Sequence, residues 1–346
     1  MIKNIKKQID YLIKITDNVG LVEHCSRDVL NYSEGYCVDD NTRAIQICLR
    51  FKDKYPKLKK TMMIYFNFLK SAWRNEKYYN DLNQDLIWKE EFFINGEHCG
   101  RALAALGEMI KFDNNFSNEA KKMFDQIYGL IKSNNTDYIR VIAQTILGLQ
   151  YYRQNEIKFW SDKLIAKYDS EKTNDWQWFE SEVSYDNGRL PMSLLVAYQK
   201  TDDHKIFEVA IESLDFLTEI IFNKKLNCFS FPGNEGWFTK SGLRNIFDQQ
   251  PIEAGSMVEV YSLAFKITKD KKYKDLALKA FSWYEGNNII KANMVDSKTG
   301  GIYDGFSEKK INYNQGAESV LTYLLAYISI RDIIGHGNSS YHWQQK

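Results

Sequence analysis

The 346-residue chain is poor in the residues that break or staple a fold. Only four prolines interrupt it, so long stretches are free to form regular backbone. Its five cysteines, Cys25, Cys37, Cys48, Cys99 and Cys228, are odd in number, and no pair has C-x2-C spacing. That argues against a disulfide framework and a cysteine zinc site, and predicts reduced thiols in a cytoplasmic protein. Charge of one sign is also lacking. Lys and Arg total 46 against 45 for Asp and Glu, which leaves no electrostatic footprint for nucleic acid or for an acidic membrane surface. No run of about 18 apolar residues occurs, so no spanning helix is expected. The opening MIKNIKKQIDYLIKIT is broken by charge every few residues and contains no signal-peptide core. Phosphate-binding glycine motifs, G-x-S-x-G, HExxH, His-x3-His and EF-hand loops are all missing. The expectation is therefore no nucleotide cofactor, no resident metal and no serine nucleophile.

Aromatic residues are plentiful, with 8 Trp, 22 Tyr and 20 Phe. They suit a large core and also sugar-stacking surfaces. Apolar residues recur at i, i+3, i+4 and i+7 in twelve segments, near 2–15, 38–53, 57–73, 98–111, 117–133, 137–153, 155–169, 186–200, 203–222, 251–268, 270–288 and 314–334. Pro251 fits a helix start, and Pro191 fits a first turn. The stretches 226–240 and 294–306 lack helical period and read as loops or short hairpins. No Pro- or Ser-rich linker divides the chain, so residues 1–346 are read as one domain.

Every second helix opens on a polar stretch. These are YCVDDNTRA at 36–44, NGEHCGRA at 95–102, NTDYIRV at 135–141, SYDNGRLP at 184–191, FDQQPIEAGS at 247–256 and YNQGAES at 313–319. Four of them place a polar residue three positions before an arginine: Asp40 and Arg43, His98 and Arg101, Asp137 and Arg140, Asp186 and Arg189. The last two place Gln250 before Glu253 and Gln315 before Glu318. Residues three apart share a helix face. The helices between carry ordinary Lys/Glu-rich faces. Repetition of one helical hairpin predicts a repeated supersecondary unit. If alternate helices form an inner ring, their N-termini meet at one mouth. The expected fold is all-α, an (α/α)6 toroid. An open solenoid is less apt, since it gives no reason for a different polar opening on each repeat.

Each candidate has a plain structural reading beside a functional one. Asp39, Asp40 and Asp186 fit either helix caps or ligand contacts. Trp176, Trp178, Phe179, Glu180 and Glu182 fit either a sugar-stacking cluster beside acids or core packing. Asp248, Gln249, Gln250 and Glu253 form the densest polar stretch, suited to a polyhydroxyl ligand or to a buried network. Gln315 and Glu318 read the same way, and Asp304 is alternatively a simple Asp-Gly turn. Glu97 and His98 offer an acid and an imidazole, although a lone histidine commonly serves structure.

Taken in order, GYCVDDNTRA, GEHCGRAL, SYDNGRLP, FDQQPIEA and NQGAES resemble the six-hairpin glycosidase superfamily over nearly the whole chain. More narrowly they resemble a bacterial group of that fold whose domain often accompanies glycosyltransferases or sugar-degrading enzymes, and for which no reaction is settled. The resemblance implies a carbohydrate substrate and a glycosyltransferase as a partner. Similarity to the N-acylglucosamine 2-epimerase group stops at the toroid, because those enzymes use paired histidines and only His98 lies in a motif here. The superfamily is mostly inverting, which implies an acid and a base separated by room for water. The expected activity is glycoside hydrolysis with Asp40 and either Asp248 or Asp186 as the carboxylate pair. A phosphorylase using Arg43, Arg101, Arg189 or Arg244, an isomerase or epimerase, and a non-catalytic sugar-binding partner are the alternatives.

Overall fold

In the computed structural model, residues 4–90 and 96–335 are described. The expected Asn95 of the second opening, and residues 2–3 of the first helix, lie outside them. Twelve α-helices occur among the described residues: α1 (Lys6–Lys14), α2 (Val38–Phe51), α3 (Lys57–Ser71), α4 (Glu97–Phe112), α5 (Ser117–Ser133), α6 (Ile139–Leu149), α7 (Ile157–Glu171), α8 (Arg189–Thr201), α9 (His204–Ile221), α10 (Pro251–Thr268), α11 (Lys271–Ser282) and α12 (Ala317–Ile333). The even-numbered helices pack each on the next, and α12 returns to α2. The odd-numbered helices lie outside, α3 on α2 and so on around to α1 on α12. The return contact makes a closed ring, the (α/α)6 toroid, and rules out a solenoid.

The two layers differ as their sequences require. The outer α5 buries Ala120, Met123, Phe124, Ile127, Tyr128 and Ile131, a single stripe. The inner α6 buries every residue from Ile139 to Leu149. Inner helices also need small residues where backbones approach. A Cβ on Gly107 would lie 2.5 Å from the carbonyl oxygen of Gly148, so α4 and α6 meet in van der Waals contact only because both are glycine. Further along the inner faces, Ala104, Leu147, Val196, Met192 and Leu263 form a separate apolar cluster contributed by four inner helices. Near the C-terminal end of α2, Arg50 pairs with Glu108 of α4 at 2.7 Å.

The connections are unequal. Turns from inner to outer helices span only 52–56, 113–116, 150–156, 202–203 and 269–270. Those from outer to inner helices span 15–37, 72–96, 134–138, 172–188, 222–250 and 283–316. All six of the latter lie at the N-terminal mouth of the inner ring, where elaborated loops carry function. They contain short strands. β1 (Val22–Ser26) and β2 (Val29–Cys37) form an antiparallel hairpin, and β2 also pairs with Asp81–Leu82. The sequence reading did not anticipate this hairpin. The stretches 226–240 and 294–306, expected as loops or short hairpins, carry the two-residue strands Cys228–Phe229, Phe238–Thr239 and Gly305–Phe306, whose strand partners Phe222–Asn223, Glu182–Val183 and Ile311–Asn312 lie outside them. Three of the inner helices start later than their apolar period suggested: α6 at Ile139, α8 at Arg189 and α12 at Ala317. Their polar opening residues belong to the preceding loops. No helix among the described residues is long and apolar enough to cross a membrane.

Candidate functional site

The first turns of the inner helices carry Asp39 and Asp40 on α2, Glu97 on α4, Glu253 on α10 and Glu318 on α12. Acidic residues there complement the helix dipoles. They are not side-chain caps. The N-cap positions are Cys37, Gly96, Gln250 and Gly316, and none makes a side-chain capping bond. The capping reading of Asp39 and Asp40 is thereby corrected, because both lie inside the helix.

Three buried arginines bind all of these acids except Glu253, in two groups, one on Arg43 and one on Arg101 and Arg189. Arg43 donates to Asp40 at 3.0 Å and lies 3.2 Å from Glu318. Arg101 binds Glu97, Asp39 at 3.3 Å and Asp186 at 2.9 Å. Arg189 binds Asp186 at 3.3 Å and grips both oxygens of Glu259 at 2.6 and 3.1 Å. Two of the four expected i, i+3 pairs therefore form, Asp40 with Arg43 and Asp186 with Arg189. The other two do not. Nε2 of His98 is 2.9 Å from the Tyr78 carbonyl oxygen. Asp137 faces outward to Lys163 and Lys167. Arg140, on α6, binds Glu180 at 2.9 Å, Ser184, and the carbonyl of Tyr185.

Exposure sorts the acids. The Asp186 side chain is 0% exposed, whereas those of Glu318, Asp39 and Glu97 are 45%, 27% and 15% exposed. The solvent-facing layer is thus carboxylate, with the guanidinium groups behind it. Electrostatics sorts them again. Burial, reinforced by Glu23, Glu318 and Asp39, pushes Asp40 up to about 7 despite Arg43. Burial and the charge of Asp186 push Glu253 up to about 8, although it accepts hydrogen bonds from the Asp186 backbone N–H and from Asn187. Glu318 is raised by desolvation, against the pull of Arg43 and Arg101. Desolvation also opposes ionisation of Asp186, yet Arg189, Arg101 and Arg43 together hold it below the usual range.

Several expected ligand residues make hydrogen bonds within the scaffold. Gln249 is buried, accepts the Phe231 N–H at 3.1 Å and donates to the Ile246 carbonyl at 2.9 Å. Gln315 bridges Thr299 at 2.7 Å and Asp296 at 3.0 Å. Asp304 accepts from the Gly316 N–H at 2.7 Å and the Ser319 hydroxyl at 2.6 Å, which caps α12 from the loop that leads into it. Trp178 is core, edge-on to Phe179, and its indole N–H has no partner among the described residues. Asp248 precedes α10 with a buried Oδ1 that also lacks a hydrogen-bond partner among them. Gln250 stands at the N-cap of α10.

Other residues at the mouth escaped the sequence reading. Tyr185 donates its hydroxyl to Glu97, and its ring centroid lies 6.2 Å from that of Trp237. Glu259 lies below Arg189 on α10. Glu23, Cys37 and Asp40 bring three donor atoms within 4.8 Å of one another. Arg43 already occupies Asp40, and burial holds the Cys37 thiol well above its ordinary range, hence protonated. That set is a poor fit to a cation. Tyr185 and Cys37 lie within opening motifs, whereas Glu23, Trp237 and Glu259 carry no such signal.

No protein-family model matches the chain, and no curated protein sequence matches it. Solved structures do. A D-mannose isomerase overlays with a TM-score of 0.74 at 11% identity, covering 95% of this chain and 96% of that one. The fold is the six-hairpin (α/α)6 toroid. A cellobiose 2-epimerase from Bacillus thermoamylovorans shares it with a TM-score of 0.72 at 11% identity, covering 94% and 98%. An α-1,6-mannanase of a Salegentibacter species does so at 0.62 and 11%, covering 94% and 97%. That mannanase is an inactive variant with two consecutive aspartates replaced by alanine, in complex with α-1,6-mannotetrose. These neighbours of the toroid are carbohydrate-active enzymes of more than one reaction type.

Proposed function

We propose that the protein is a glycoside hydrolase acting on a small oligosaccharide. The observation that carries this reading is the exposed carboxylate layer of Glu318, Asp39 and Glu97, held on buried arginines. Glycoside cleavage needs an acid for the leaving oxygen and a carboxylate to activate water. Glu318 is the proton donor, because it is the most exposed of the three acids. Asp39 takes a proton from water as that water attacks the anomeric carbon. The C–O bond to the leaving sugar then breaks, and the departing oxygen keeps the Glu318 proton. Asp40 lies beneath both, and Asp186, with no exposed surface, is a positioning residue for Arg101 and Arg189. The expected roles of Asp40 and Asp186 as the reacting pair thus pass to their more exposed neighbours, while Asp248 flanks the site.

Isomerisation or epimerisation on the same toroid is the second reading, favoured by the two sugar-isomerising neighbours. Against it, the mouth holds no pair of imidazoles among the described residues: His98 is held on the Tyr78 carbonyl, and His24 stands beside Glu23. Phosphorolysis is disfavoured because Arg43, Arg101 and Arg189 already hold carboxylates. The test is a panel of α-1,6-mannosyl and β-1,4-glucosyl oligosaccharides, with and without phosphate, read by mass spectrometry and chromatography. Hydrolysis is expected, and Glu318→Gln and Asp39→Asn should each lower kcat by roughly 100-fold or more. Products only with phosphate, or a new sugar of unchanged mass, would replace hydrolysis by phosphorolysis or epimerisation. Binding without turnover would point to the sugar-binding partner of a glycosyltransferase.

A further inference from the structure

Ten of the exposed large apolar side chains fall on mouth loops: Val29, Tyr32, Leu86, Ile87, Tyr138, Tyr185, Leu226, Leu243, Ile246 and Tyr313. One of these connects directly to the carboxylates. Tyr185 is 37% exposed, yet its ring is fixed. Its hydroxyl is tied to Glu97, and the Arg140 guanidinium lies 4.6 Å from its centroid. Trp237, on the neighbouring mouth loop, is half-buried and inclined 34° to the Tyr185 ring. Its backbone is held as well, with its N–H on Gly233 and its carbonyl accepting from Asn245, both at 2.9 Å. The two rings are a pre-formed aromatic surface that ends at Glu97, beside the exposed acids. An aromatic face presents apolar area to ring C–H groups, and a carboxylate accepts hydroxyl hydrogens.

The cations beside this surface already hold carboxylates: Arg140, against the Tyr185 ring, binds Glu180 at 2.9 Å. Arg43, Arg101 and Arg189 each hold at least two carboxylates, which leaves no open fork for a phosphate or a sugar acid. Arg244 lies on the same loop as Trp237. Its guanidinium donates to the Ser230 carbonyl at 2.8 Å.

We propose that Tyr185 and Trp237 form a subsite for an uncharged pyranose whose hydroxyls bind Glu97, and that the carboxylate layer excludes phosphorylated and uronic sugars. This rests on the sugar-enzyme reading above. The test is calorimetric titration of the full chain with mannose and glucose oligosaccharides, and with mannose 6-phosphate and glucuronate. Trp237→Ala should weaken neutral-sugar binding by about tenfold, while Trp237→Phe keeps most of it. The anionic sugars should bind at least about tenfold more weakly than the neutral ones, a gap that narrows in high salt. Glu318→Gln should narrow it too, by freeing one nitrogen of Arg43. Neutral sugars that bind equally well to Trp237→Ala, with that variant folded by circular dichroism, would overturn the subsite and leave the sugar-enzyme reading intact. So would anionic sugars that bind as tightly as neutral ones. A native protein that binds no sugar at all would overturn both.

Discussion

At the scale of the residue, Glu253 shows how position decides chemistry. It reads as one more acid in a polar helix opening, but it is buried against the Asp186 backbone with its pKa near 8. An unfolded glutamate titrates near 4.5. Between those values the folded chain keeps a proton that the unfolded chain has released, so stability falls as pH rises. Asp40 has the same sign between about 4 and its folded value of about 7. Asp186, lowered, acts in the opposite direction only below about 4. Urea melts at pH 5 and pH 8 should show the protein weaker at pH 8. Glu253→Gln should reduce that loss by up to a few kcal/mol, and an unchanged loss would refute the burial argument. The acids themselves were legible in the sequence, because they recur at helix openings. Their partners were not. Asp39 and Asp40 are neighbours with the same side chain, yet one reaches solvent and the other is covered by Arg43. Gln249 and Gln315 looked like ligand groups because the folding of the loops just before them, which supplies their partners, has no periodic signal.

At the scale of the element, the helices were legible and the loops were not. Apolar period marks a helix whatever its surroundings, so all twelve segments correspond to helices. The β1–β2 hairpin forms because Tyr36 and Cys37 also pair with Leu82 and Asp81, a contact that no local pattern announces. The Trp176–Phe179 run illustrates the same limit. Its aromatic residues are buried, and the exposed aromatic pair comes from Tyr185 and Trp237 on two different loops. The glycines of α4 and α6 have an element-level consequence. Gly107→Ala must push the two inner helices apart at Gly148, at a cost of about 1–3 kcal/mol and with a lower Tm by calorimetry. Gly129, on the outer α5, has nothing within 4 Å of a Cβ, and Gly129→Ala should be neutral or stabilising. Equal effects at the two sites would remove the close-approach argument.

At the scale of the whole molecule, closure matters most. The helix α1 completes the outer layer behind α12, where Leu12 is fully buried and the Tyr11 hydroxyl donates to the Gln315 carbonyl at 2.7 Å. A ring closed this way has no free end from which hairpins peel off. Leu12→Ala should therefore cost about 2–5 kcal/mol and move the entire transition, with circular dichroism and tryptophan fluorescence shifting together. Two separated transitions would mean that the hairpins unfold as independent units. The unequal connections have a consequence for inheritance as well. The ring is stitched by short turns at one end and carries its long segments at the other, so the segments that face a ligand are not those that set helix against helix. New specificities can arise by rewriting the rim while the barrel keeps its own rules of packing. Descendants of such a scaffold are free to lose all resemblance in sequence and still present six helix openings to whatever ligand their rims select.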